Sequence, residues 1–167
     1  MDALSIRLLN SEAETEACAA LMAASEPWVT LRRDPEALLR FLREPGRERY
    51  VAYLGDRLAG LLVLNLQGAF VGYLQTICIA PDCRDRGLGT RLIAFAEARI
   101  FRDHPNVFLC VSSFNQAARR LYARLGYAVV GELTDYLVPG HSEMLLRKSQ
   151  GPLLSPTSSP GPASSEG

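Results

Sequence analysis

An α/β (α+β) fold, a mixed sheet flanked by helices, is predicted for this 167-residue chain. Three observations predict it. Strand-like alternation and helix-like periodicity take turns from residue 4 to residue 148. A helical segment at 87–102 joins two strand-like segments, which is the connection a parallel pair requires. Two more strand-like segments at the end of this stretch suit an antiparallel hairpin. The order β-α-α-β-β-β-α-β-α-β-β places the parallel pair at the middle of the sheet.

The elements follow in order. "LSIRLL" (4–9) alternates as a strand does. "SEAETEACAALMAAS" (11–25) opens on a Ser cap with early acids and then runs helical. "DPEALLRFLRE" (34–44) has Asp at the cap and Pro at the first helical position. "RYVAYLGDRLAGLLVLNLQ" (49–67) reads as a hairpin turning at Gly55-Asp56. "VGYLQTICIA" (71–80) is a further strand, ended by Pro81. The helix that follows carries Leu88, Leu92 and Phe95 on one face. "VFLCV" (107–111) is wholly apolar, as in a strand buried on both faces. "NQAARRLYARLG" (115–126) is a helix stopped by Gly126. "YAVVGEL" (127–133) and "SEMLLRK" (142–148) pair across a loop carrying Asp135, Tyr136 and His141.

Composition bounds the function. Formal net charge is zero, so no global field favours a nucleic acid or a membrane surface. No apolar stretch approaches the length of a membrane span, and the opening residues lack the pattern of a secretory signal. Cys18, Cys78, Cys83 and Cys110 form no zinc-type spacing, so no metal is expected and a reducing cytoplasm is. The last residues, "GPLLSPTSSPGPASSEG", are rich in Ser, Pro and Gly, and the expected division is a domain at 1–149 and a disordered tail at 150–167.

Chemistry enters at "APDCRDRGLGT" (80–90). A strand running into a glycine-rich turn and then a helix leaves free N–H groups at a positive dipole end, which is an anion site. Gly87 and Gly89 let a phosphate reach the backbone, and Arg84 and Arg86 add forked donors. Alone, the same residues also suit an ordinary turn with exposed arginines. They match neither a Walker loop nor a dinucleotide fingerprint. Downstream, Asn115, Arg119 and Tyr122 fall on one helix face, beside an apolar stripe of Ala118, Leu121 and Leu125.

Taken together, Ile79-Ala80-Pro81, Arg84, Gly87 and Gly89, then Asn115, Ala118, Tyr122, Gly126 and Tyr127, resemble the GNAT superfamily of acyl-CoA-dependent N-acetyltransferases. The resemblance covers roughly residues 4–148 and includes the order of elements. It implies a mostly antiparallel sheet with a splayed parallel pair, and transfer of acetyl from acetyl-CoA to a primary amine in a ternary complex. The turn Arg84, Asp85, Arg86, Gly87, Leu88, Gly89 and Thr90 would hold the pyrophosphate of CoA. Ile77, Cys78 and Ile79 would hydrogen-bond the pantetheine arm between strands 74–80 and 107–111, and an amide there would polarise the thioester carbonyl. Cys78 and Cys110 would line that slot. Asn115 would bind the cofactor arm, and Tyr122 would both touch the cofactor and protonate the departing thiolate.

The acceptor is less legible. An alkyl ammonium titrates near ~10, so a base or a water chain must take its proton. Many relatives carry Glu on the strand equivalent to 71–79, where this chain has no acid. The ribosomal-protein N-terminal acetyltransferases carry Glu five residues before the motif Asn, where this chain has Cys110. That departure counts against a protein N-terminus as acceptor. Candidate bases then come from loops: Glu26, Asp135, Tyr136 and His141. Trp28, Tyr73, Tyr136 and His141 are the candidates for binding a small-molecule or peptide amine. A homodimer is compatible with this reading. A non-catalytic acyl-CoA sensor or an interaction module on the same fold are the alternatives, and retention of Tyr122 with the whole arginine-glycine turn argues against both.

Overall fold

The computed structural model describes residues 3–154. The elements are β1 (Leu4–Leu8), α1 (Glu12–Ala23), α2 (Pro35–Arg43), β2 (Glu48–Leu54), β3 (Arg57–Asn65), β4 (Tyr73–Ile79), α3 (Leu88–Phe101), β5 (Asn106–Ser112), α4 (Gln116–Arg124), β6 (Ala128–Leu133) and β7 (Glu143–Ser149), with a short 3₁₀ turn at Pro81–Cys83. The seven strands form one sheet in the order β1-β2-β3-β4-β5-β7-β6. All neighbours are antiparallel except β4 and β5. The mixed sheet with its central parallel pair is therefore as the sequence predicts. Of the tail expected at 150–167, residues from 155 onward lie outside the described residues.

Local chemistry sets the helix starts. The Ser11 hydroxyl accepts from the Glu14 N–H at 3.2 Å, and the Asp34 carboxylate accepts from the Glu36 N–H at 3.3 Å. Each satisfies one of the donors a helix start leaves without a partner. The sheet is covered on both faces. Cys18, Met22, Leu38 and Leu42 from α1 and α2 pack on Val51, Leu61, Val63 and Cys78. On the opposite face Leu88, Leu92, Ile93, Ala96 and Ile100 of α3 pack on Leu62, Leu64, Leu74, Val107 and Leu109, joined by Tyr122 and Tyr127. Each large side chain so buried contributes about 1.5–3 kcal/mol.

The feature that positions the site is where β4 leaves β5. Their parallel register holds only at Tyr73 and Phe108, with the Phe108 N–H donating to the Gly72 carbonyl at 3.0 Å. Gly72 has φ 85°, and a Cβ there would lie 2.3 Å from the Asn106 carbonyl oxygen. Glycine is thus required for the two chains to meet so closely. Just beyond, Leu64 pairs with Leu74 but Val63 pairs with Thr76, so Gln75 is an extra residue in β4. Such a bulge bends and twists its strand. Past it, no β4–β5 register pair forms, and the sheet opens as a V.

One expectation is corrected here. Residues 107–111 are not buried on both faces: Val107, Leu109 and Val111 are buried, but Phe108 and Cys110 are half-buried. Their face borders the opening left by β4.

Candidate active site

The opened sheet holds a cleft of about 400 Å³. Its walls come from Tyr73–Ile77 of β4, Leu109–Ser112 of β5, Asn115, Ala118 and Tyr122 at α4, and Trp28 in the connection between α1 and α2. Tyr136, Leu137 and Glu143 close it from the β6–β7 side.

The arginine-glycine turn lies past the end of β4 and is not part of the cleft wall. Asp85 (φ 58°) and Gly87 (φ 71°) both adopt left-handed backbone, and Gly87 caps α3 without any side-chain bond. Arg91 N–H bonds the Gly87 carbonyl, so the N–H groups of Leu88, Gly89 and Thr90 have no place in the helical ladder. A Cβ at Gly87 would meet nothing within 4 Å, and one at Gly89 only Leu121 Cδ2 at 3.6 Å. The room beside these amides is therefore open. Arg84 contributes differently from the other turn residues. Its N–H closes the 3₁₀ turn on the Pro81 carbonyl at 3.4 Å, and its Nε–H donates to the Ile79 carbonyl at 3.3 Å.

Asn115 is the cap of α4 rather than a member of its ladder. Its Oδ1 accepts from the Ala118 N–H at 3.2 Å, which leaves the side-chain amide donors for the cleft. Seven residues on, Tyr122 is 5% exposed and its ring meets Tyr127 edge-on at 5.5 Å. Its phenol makes no hydrogen bond among the described residues. Burial raises its pKa, so the proton stays on oxygen at neutral pH.

Cys110 lines the cleft, but Cys78 does not. The bulge at Gln75 sets the faces of β4, and Cys78 turns into the α1–α2 core beside Cys18. Burial pushes its thiol up to about 11. Its backbone N–H and C=O lie on the β3 side of the strand, as those of Ala80 do, whose N–H donates to the Ala59 carbonyl at 2.9 Å, so the slot is left to Ile77 and Ile79. Ile77 lines the cleft and Ile79 ends the strand.

The loop candidates separate. The Glu26 carboxylate lines the cleft but accepts from Thr30 N–H and Oγ1, at 3.2 and 2.9 Å. Asp135 accepts from the Gly140 N–H at 2.7 Å, which makes it a turn residue. His141 packs edge-on against Phe114 at 5.0 Å and is not part of the cleft wall. Trp28, Tyr73 and Tyr136 do line it, Tyr136 at the exposed mouth. Burial beside Cys110 holds the Tyr73 phenol well above its ordinary range.

The cleft residues that escape the sequence reading include Gln75, Ser112 and Glu143. Gln75 Oε1 is buried with no hydrogen-bond partner among the described residues. Glu143 is 4% exposed, and the Ser112 hydroxyl donates to its Oε1 at 2.5 Å. Desolvation raises its pKa, against the Ser112 bond and the nearby His141, which lower it. An acid at the head of an apolar strand was the one available signal, and it is weak without the pairing of Ser112 with Glu143.

Among the described residues no group of three or more His, Cys, Asp or Glu side chains could hold a metal ion, and no helix is long and apolar enough to cross a membrane. The family model for the Acetyltransferase (GNAT) family matches residues 15–127. Blasticidin-S acetyltransferase of Streptomyces morookaense is 35% identical over 121 residues, covering 71% of this chain and 84% of that protein. The ribosomal-protein-S18-alanine N-acetyltransferase of Escherichia coli has the same fold, with a TM-score of 0.71 at 14% identity over 88% of this chain and 94% of its own. So has a Bacillus subtilis acetyltransferase in complex with CoA, with a TM-score of 0.69 at 16% identity over 88% of this chain and 99% of its own. A matched family sequence, a sheet that opens at its parallel pair and a bare helix start at the end of β4 converge on one conclusion: the chain belongs to the GNAT acetyltransferase family and is an acyltransferase.

Proposed function

We propose that the chain transfers an acetyl group from acetyl-CoA to the primary amine of a small molecule, by direct attack within a ternary complex. The observation that carries this reading is the single register pair Tyr73–Phe108, beyond which β4 and β5 diverge into a cleft with Tyr122 in its wall. Acetyl-CoA supplies a thioester whose carbonyl carbon accepts the amine and whose thiolate departs. The free amides of Leu88, Gly89 and Thr90, with Arg86 beside them, suit the phosphates. The N–H and C=O of Ile77 and the N–H of Ile79, on the edge that β4 turns away from β5, suit the arm and the polarisation of the carbonyl. The donors of Asn115 face the same arm. Tyr122, protonated and with no hydrogen-bond partner for its phenol among the described residues, is the acid for the thiolate. Trp28, Tyr73 and Tyr136 shape the acceptor side.

Cleft size favours a small acceptor over a folded protein surface. So does the relative that acts on blasticidin-S, although the acceptor here need not be that compound. The test is a panel of primary amines, polyamines, amine-bearing antibiotics and N-terminal peptides, scored by thiol release from acetyl-CoA. Turnover confined to small amines supports the reading. Turnover of peptides alone overturns the acceptor class, and CoA binding with no turnover supports a sensor.

A further inference from the structure

The sheet brings a carboxylate to the acceptor side of the cleft from a strand that carries none of the family motif. β5 and β7 pair antiparallel, with Ser112 opposite Glu143 and Cys110 opposite Leu145. Residues paired across a sheet share a face, and alternate residues along a strand do too. Cys110, Ser112 and Glu143 therefore stand on one face, the face that Tyr73 shares through its pairing with Phe108. All four line the cleft. Glu143 is 4% exposed and has no basic partner within salt-bridge distance among the described residues. A charge so placed is costly unless something in the cleft engages it. Ser112 occupies only Oε1.

We infer that Glu143 receives the proton of the acceptor ammonium, with Ser112 as the residue that positions its carboxylate. This rests on the acetyltransfer reading above. The ammonium gives one proton to Glu143, which returns it to solvent through the cleft mouth. The neutral nitrogen then forms the N–C bond as the C–S bond breaks. The proton of Tyr122 goes to sulfur, and the second nitrogen proton restores the phenol. One amide, one thiol and one released proton result, so the step balances without a further reactant.

The groups facing Glu143 set its titration. They are Tyr73 on β4, Cys110 and Ser112 on β5, and His141 in the β6–β7 connection. Glu26 and Arg33 also line the cleft. Net desolvation raises the carboxyl, which brings the base nearer neutral pH, where a general base works best.

The test uses the full chain, saturating acetyl-CoA and a primary alkylamine that the panel shows to be accepted. Glu143→Gln keeps an oxygen for Ser112 and so keeps the local fold. It should lower kcat/KM at pH 7 by about 10²- to 10⁴-fold. The deficit should close as pH rises toward ~10, where the free amine forms unaided. A deficit that is absent, or the same at every pH, overturns the inference. Ser112→Ala should move the acid limb of the wild-type pH profile upward, since the bond it removes favours the ionised carboxyl. An unmoved limb also overturns it. If the wild-type chain binds CoA but acetylates no amine, it is the acetyltransfer reading that fails, and the inference with it.

Discussion

Replacing Tyr122 by Phe removes one oxygen from a ring that is otherwise held by packing. The phenol donates to no group among the described residues, and the edge-on contact with Tyr127 at 5.5 Å survives the change. Stability should therefore change by no more than about 0.5 kcal/mol. The catalytic effect follows from proton affinities. A free phenol titrates near ~10 and a free thiol near ~8.5, so donation to the thiolate is uphill by about 1.5 pH units, or ~2 kcal/mol. Burial raises the Tyr122 phenol further and widens that gap. The acid can then assist only while the C–S bond breaks, and the thiolate leaves tolerably well without it. We expect the lower end of the usual general-acid range, about 10²-fold in kcat, with CoA affinity unchanged because the effect is confined to the transition state. The assay is thiol release at saturating amine, with single-turnover mixing to show that chemistry limits the rate. An unaltered rate under those conditions removes Tyr122 from the mechanism. A large fall in melting temperature would instead mark the hydroxyl as structural.

Other substitutions probe the frame around it. Gly89→Val should leave the fold intact, since a Cβ there meets only Leu121 Cδ2 at 3.6 Å, yet block phosphate approach and weaken CoA by about 100-fold or more. Unchanged affinity by calorimetry would exclude this turn as the phosphate site. Gly72→Ala places a Cβ 2.3 Å from the Asn106 carbonyl oxygen and 2.7 Å from Ile100 Cγ2 at φ 85°. Strain of about 1–2 kcal/mol and overpacking of about 1–3 kcal/mol should together destabilise the fold by ~2–5 kcal/mol in urea unfolding. A loss below about 1 kcal/mol would mean the strands can meet without glycine. Glu14 accepts from Arg7 and from the Tyr53 hydroxyl, and the Arg7 bond holds its carboxyl at about 2. A depressed carboxyl stabilises above its unfolded value and loses that contribution as pH falls through the folded one, so the melting temperature should drop between pH ~4.3 and about 2. In Glu14→Gln that acid limb should be shallower, and an identical limb would refute the assignment.

Much of this was written locally. Ser11 and Asp34 cap because their side chains reach N–H groups two or three residues away, whatever lies beyond. The stripe Leu88, Leu92 and Phe95 specifies a helix face in the same way, and the spacing of Gly87, Gly89, Asn115 and Tyr122 identifies a family because it is a property of local segments. The order of elements, and with it the fold class, follows from such segments laid end to end. Other features depended on partners far along the chain. The alternation of 71–80 gives no hint that Gln75 is an extra residue, because a bulge exists only relative to the strand opposite. That bulge turns Cys78 inward, away from the slot where its position in β4 alone would put it. The apolar run at 107–111 cannot reveal that one of its faces meets a gap, since the gap belongs to β4. Glu143 is the clearest case. In sequence it is one acid among many, and a search along β4 and the loops passes over it. It reaches the cleft because β7 inserts between β5 and β6 and sets it opposite Ser112, thirty-one residues away. Sequence fixes what each segment can be. Hydrogen bonds between distant strands decide which side chains share a face, and so which groups meet in the cleft.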